Sequence, residues 1–143
     1  MKLEVKVDPN KEDKITIECH EENDLVKQIK SLVEGSDIQL NGYLDDEIVP
    51  LKLNKIERFF VESNKVFASV DKKHFVIKYR IYQLEEALGE TFVKINQSCL
   101  VNVNAIVKFK AAFDGSIMVE LASGEKDYIS RRSLKNVKER LGF

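Results

Sequence analysis

The sequence predicts a mostly-β (α+β) protein, about ten short strands with brief helices and a small β-β-α extension in front. Three observations predict it. Apolar residues come in short runs, many of them alternating with polar ones, and turn-forming residues separate the runs. Helical spacing of apolar residues is confined to positions around 22–34, 80–88 and 131–141. With 143 residues, 43% of them hydrophobic, the chain can bury the core of one or at most two small domains.

Leu3, Val5 and Val7 alternate with charged residues, Asp8-Pro9-Asn10 turns, and Ile15, Ile17 and Cys19 alternate again, so residues 2–19 read as a hairpin. From Glu22 the period changes. Leu25, Val26, Ile29, Leu32 and Val33 fall on one helical face, with Gly35 placed as the stop. This acidic β-β-α unit, residues 1–36, cannot bury itself alone and is expected to pack on the main domain, residues 37–143.

In that domain, residues 38–44 and 48–53 are strands around the acidic turn Asp45-Asp46-Glu47, and Pro50 marks the second as an edge strand. Strands over 56–61, 66–70 and 75–79 follow, separated by the turn signals Glu62-Ser63-Asn64-Lys65 and Asp71-Lys72-Lys73. Ile81, Leu84 and Leu88 make a brief helix that Gly89 ends. Residues 92–95, 99–101, 106–110 and 117–121 resume extended structure, and Tyr128-Ile129 leads into the last helix.

That helix organises the rest. Ser130 is a good N-cap, and Leu134, Val137 and Leu141 form an apolar stripe beside a basic one of Arg131, Lys135 and Lys138. Arg131 and Arg132 occupy the first turn, where the helix dipole favours acidic side chains. Guanidinium groups converging there with free backbone N–H groups suit an anion such as phosphate. A docked helix with a solvated outer face fits the same residues.

The net charge of −1 hides an asymmetry. Residues 1–50 hold 6 Lys and Arg against 13 Asp and Glu, while residues 51–143 hold 17 against 11. A basic body behind an acidic head points to a polyanion as the body's partner. No apolar signal region or membrane-length run occurs, and the two cysteines are far apart with no CxxC, so a soluble, cytoplasmic chain with free thiols is expected.

Enzymatic chemistry has little to stand on. A Cys/His nucleophile requires Cys19 or Cys99 to meet His20 or His74 across the fold, Asp45-Asp46-Glu47 lacks the spacing of a Ca²⁺ loop, and no phosphate-binding glycine loop exists. The reading is therefore a non-enzyme with no cofactor and no metal. Three polar interruptions of the β segments suit binding instead: Ser63-Asn64-Lys65, Asn96-Gln97-Ser98 and Ser130-Arg131-Arg132. Asn and Gln pair with adenine edges, Arg with guanine, and Lys and Ser reach phosphates. Each stretch alone also fits an ordinary solvated turn; together, on a basic body, they favour nucleic acid. Aromatic stacking is not evident, since the eight Phe mostly fall on alternating core positions.

Three segments resemble the LytTR-type DNA-binding domains of bacterial transcription regulators. Glu57-Arg58-Phe59-Phe60-Val61-Glu62-Ser63-Asn64-Lys65-Val66-Phe67 looks like that family's early strand-turn-strand. Residues 92–106, FVKINQSCLVNVNAI, look like its signature, and Asp127-Tyr128-Ile129-Ser130-Arg131-Arg132-Ser133-Leu134-Lys135 like its closing element. The resemblance covers residues 38–143. It implies an elongated LytTR-like domain of small packed sheets, in which loops and the start of the C-terminal helix, and not a helix-turn-helix, enter successive major grooves. By position it assigns DNA contacts to Asn64, Lys65, Asn96, Gln97, Ser98, Arg131, Arg132 and Lys135. Gln97 stands where many members carry Arg, and Asn102 and Asn104 look like structural strand-end residues.

The function expected from the resemblance is a sequence-specific double-stranded DNA-binding transcriptional regulator, working as a homodimer at least on repeated half-sites. Residues 1–35 are too short for the receiver domain many members carry, so the chain looks like a stand-alone regulator. The family implies an inhibitory membrane-protein partner, without membrane insertion of this chain. The alternative is a protein-interaction module or accessory subunit with no sequence-specific DNA binding, acting through its acidic head and strand edges.

Overall fold

The computed structural model describes residues 2–34 and 39–143. Gly35 and Ile38, read as helix stop and strand start, lie outside the described residues, as do the expected boundary at 36 and 37 and the side chains of Leu32 and Val33. The chain divides into two compact units, Met1–Gly35 and Ser36–Phe143.

The first unit holds one helix, α1 (Asp24–Glu34). Asn23 caps it, its Oδ1 accepting the Val26 N–H at 3.0 Å, and Lys30 pairs with Glu22 at 2.9 Å. The hairpin expected over residues 2–19 does not form. A turn at Pro9–Asn10 is present, but no strand flanks it. Leu3 and Val7 on the alternating run are 92% and 90% exposed. A lone two-stranded ribbon is marginal in water without a third strand or a helix against it.

The second unit contains β1 (Gln39–Leu44), β2 (Glu47–Lys52), β3 (Arg58–Glu62), β4 (Lys65–Val70), β5 (Lys73–Ile77), α2 (Ile81–Leu88), β6 (Phe92–Asn96), β7 (Cys99–Asn102), β8 (Ile106–Ala111), β9 (Ile117–Leu121), β10 (Lys126–Ile129) and α3 (Arg131–Leu141). Seven strands form an antiparallel sheet in the order β2-β1-β5-β4-β3-β7-β6, and three form a second, β10-β9-β8. Pro50 does lie on an edge strand, where its missing N–H costs no ladder bond.

Both faces of the large sheet are covered, which explains why β3, β6 and β7 are nearly continuous apolar runs. Phe59 and Leu100 face one core with Leu84 and Leu88 of α2, while the adjacent Phe60 and Val101 face another with Val119, Leu121 and Val137. The small sheet and α3 thus close one face and α2 the other.

A polar clamp reinforces the second contact. Arg58 on β3 donates to Asp127 Oδ2 at 2.9 Å and to Glu125 Oε1 at 3.0 Å, and its guanidinium lies 4.2 Å from the Phe60 ring centre. Glu125 also accepts the Ser69 hydroxyl and contacts His74 Nε2 at 2.7 Å, and Glu57 accepts both the hydroxyl and the N–H of Ser123. Burial alone would raise the Glu125 carboxyl, but the bonds from Ser69, His74 and Arg58 outweigh it and hold it down at about 2.

Candidate nucleic-acid interface

Three loops meet at one end of the large sheet, and the strand pairings put them there. Because β3 and β4 are antiparallel, Ser63 and Asn64 form a two-residue hairpin turn beyond the Glu62–Lys65 pair. Both take positive φ, 51° and 62°, the geometry that matches the twist of a tight hairpin. Asp71 and Lys72 do the same at the far end of β4, so this backbone belongs to hairpin chemistry and not to a binding role. Ser63, Asn64 and Lys65 are all exposed.

The second loop joins β6 to β7. Since Phe60 pairs with Cys99 and the Val61 N–H donates to the Ser98 carbonyl at 2.9 Å, it emerges beside the first. Gln97 and Ser98 are exposed, whereas Asn96 is 3% exposed. The register of β6 shifts between Lys94 and Asn96, an irregularity that turns Asn96 inward where simple alternation would point it out. Its Nδ2 donates to the Tyr128 carbonyl at 2.9 Å and to Asp127 Oδ1 at 3.3 Å, and its Oδ1 accepts the Ser98 N–H at 2.9 Å. Asn96 therefore fastens the loop from below, and the surface it was expected to share belongs to Gln97 and Ser98.

The third element is the start of α3. The Ser130 N–H donates to the Ile95 carbonyl at 2.8 Å, which ties the helix to the second loop. Ser130 Oγ accepts the Ser133 N–H at 3.2 Å as the N-cap. Val137 is buried, with Leu134 and Leu141 partly so, and this leaves Arg131, Arg132 and Lys135 exposed. At the other end of the helix Arg140 donates to the carbonyls of Glu90 and Phe92 at 2.9 and 3.2 Å, and Gly142 ends it in the left-handed conformation.

The structure thus brings Asn64, Lys65, Gln97, Ser98, Arg131, Arg132 and Lys135 onto elements joined by main-chain bonds and sets Asn96 behind them. Asn102 is buried, its Nδ2 donating to the Ile56 carbonyl at 3.0 Å and its Oδ1 accepting the Asn104 N–H at 2.9 Å, a structural role. Cys99 is 1% exposed, and burial, followed by the Asp127 charge, pushes its thiol well above its ordinary value. His74 is engaged with Glu125.

One element of this end has no counterpart in the sequence reading, the turn between β8 and β9 that carries Phe113 and Asp114. The Asp114-Gly115 pair between two alternating runs was the available signal. Asp114, Gly115 and Arg131 line one shallow surface depression.

The family model described as "LytTr DNA-binding domain" matches residues 46–142. An uncharacterized HTH-type transcriptional regulator of Staphylococcus aureus is 35% identical over 146 residues, covering 100% of this chain and 99% of that protein. A regulator of the same description from another strain is 34% identical over 131 residues, covering 90% and 89%. The LytTr DNA-binding domain of a putative methyl-accepting/DNA response regulator from Bacillus cereus superposes with a TM-score of 0.69 at 20% identity, covering 73% of this chain and 97% of that one. Although these relatives are described as HTH-type, the three α-helices among the described residues of this chain are separated by strands. Matched over most of its second unit by the family model and end to end by relatives at this identity, the chain belongs to the LytTR DNA-binding domain family.

Proposed function

We propose that this chain is a cytoplasmic bacterial transcription regulator that binds specific duplex DNA, with Gln97, Arg131 and Arg132 reading base edges and Asn64, Lys65, Ser98 and Lys135 holding the phosphate backbone. The observation that carries the reading is the convergence of two polar loops and the start of α3 at one end of the large sheet, coupled through the Val61–Ser98 and Ile95–Ser130 main-chain bonds. Side chains mounted on coupled elements keep a fixed spacing, which is what reading a defined series of bases demands. The helix start adds backbone N–H groups and two guanidinium groups suited to phosphate and to guanine.

The family and the regulator names of the relatives support DNA as the partner. Two copies on repeated half-sites, and restraint by a membrane protein, belong to the same proposal. No helix among the described residues is long and apolar enough to cross a membrane.

Selection from a random duplex pool, followed by titration of the selected site and a scrambled control at several salt concentrations, tests this. The expected result is a repeated motif bound on the order of 10³-fold more tightly than the control. Equal binding of both duplexes, lost as salt rises, would leave only a charged surface and favour the protein-interaction reading.

A further inference from the structure

The turn between β8 and β9 is closely bonded. The Gly115 N–H donates to the Ala112 carbonyl at 3.0 Å and the Ala112 N–H to the Ser116 carbonyl at 2.8 Å. Asp114 Oδ1 accepts the Ser116 N–H at 3.0 Å and its hydroxyl at 2.6 Å, and Gly115 takes a φ of 83° that a side chain rarely adopts. Phe113 stands at the apex of this turn at 113% of its reference exposure. Six of the other Phe are buried or half-buried, and Phe143 packs against Phe109 with tilted rings whose centres are 4.4 Å apart. Phe113 is held out on a stiff support.

The position of that support gives it meaning. Ile129, the last residue of β10, pairs with Ile117, so the turn lies one step beyond the point where β10 hands over to α3. Asp114 and Gly115 of the turn share a depression with Arg131. The exposed ring therefore stands on a turn whose next two residues, Asp114 and Gly115, adjoin Arg131. A phenyl ring gains nothing from phosphates, and Asp114 on the same turn is repelled by them. The apolar group that duplex DNA displays in its major groove is the C5 methyl of thymine.

We propose that Phe113 is a further specificity-determining contact, packing on the methyl of a thymine next to the bases reached by Arg131 and Arg132. The inference rests on the DNA-binding reading above, and one experiment separates their failures. Wild-type protein and Phe113→Ala are titrated against the selected site, against a scrambled duplex, and against a set of sites in which one thymine at a time is replaced by uracil, which deletes only the methyl. The wild type should lose about 3- to 10-fold at one thymine, the scale of one buried methyl group. Phe113→Ala should lose a similar factor on the intact site and nothing further when that thymine becomes uracil. Its urea midpoint should match the wild type, because the ring is exposed. Wild-type affinity in Phe113→Ala, or losses that multiply at every thymine, overturns the assignment. A wild type that does not distinguish the selected from the scrambled duplex overturns the DNA reading itself.

Discussion

Asn96 and Gln97 are adjacent in the chain and have separate tasks. The Asn96 amide is spent on Tyr128, Asp127 and the Ser98 N–H, while the Gln97 side chain faces water. Replacing Asn96 disturbs the second loop and its tie to β10; replacing Gln97 changes only what the loop presents. The arginines at the start of α3 resemble Gln97 in this respect. Arg132→Ala should leave folding intact, weaken the selected site by about 1–3 kcal/mol and relax preference at one base position. Lys72→Ala, at the opposite end of β4, should reduce binding to selected and scrambled duplexes by the same small factor. Anisotropy titrations of both variants on both duplexes check the pair, and an unchanged cognate-to-scrambled ratio in Arg132→Ala would remove that residue from base reading.

At the scale of elements, what alternation and helical period encode was readable in advance. All three helices fall where apolar stripes predicted them, and β1 to β9 lie within a residue or two of the extended runs read from the sequence. Two things escaped because they depend on partners far away. The register shift in β6 is set by its pairing with β7 and by the Ile95–Ser130 bond, neither of which marks Asn96 locally. The hairpin over residues 2–19 had the right pattern, but a two-stranded ribbon needs a third strand or a helix against it, which alternation alone does not encode. Gly42 is a third such case. A Cβ there would sit 2.6 Å from Leu51 Cδ1 and 2.7 Å from Phe75 Cβ, so β1 needs a glycine for close packing between its neighbours. Gly42→Ala should destabilise the second unit by about 1–3 kcal/mol, read as a lower urea midpoint.

For the molecule as a whole, the clamp of Arg58, Glu125 and Asp127 joins the two sheets across 67 and 69 residues of sequence, a separation that no motif announces. It also imposes a pH dependence. The folded chain holds the Glu125 carboxyl at about 2, against the ordinary 4.5, and so binds that proton more weakly than the unfolded chain does. The contribution is complete above pH 4.5 and disappears as pH falls through about 2. Thermal melts should show the melting temperature dropping across that window. Glu125→Gln should be less stable by about 1–3 kcal/mol at neutral pH and should show a flatter profile in acid. An acid profile identical to the wild type would take Glu125 out of the clamp.

The β6 edge of the large sheet is occupied by its own chain: Ile95 gives its carbonyl to Ser130 and Phe92 gives its carbonyl to Arg140. At the opposite edge Pro50 interrupts the donors of β2. Continuing the sheet from one copy into the next, a common route to a symmetric β dimer, is therefore obstructed on both sides. In the proposed arrangement of two copies on repeated half-sites, the helical repeat of the duplex then sets how the copies face each other. Half-sites about one turn apart, roughly 10 base pairs, place both copies on one face of the DNA; a shift of about half a turn places them on opposite faces. The spacing of the operator would thus decide whether the first copy can stand beside the second.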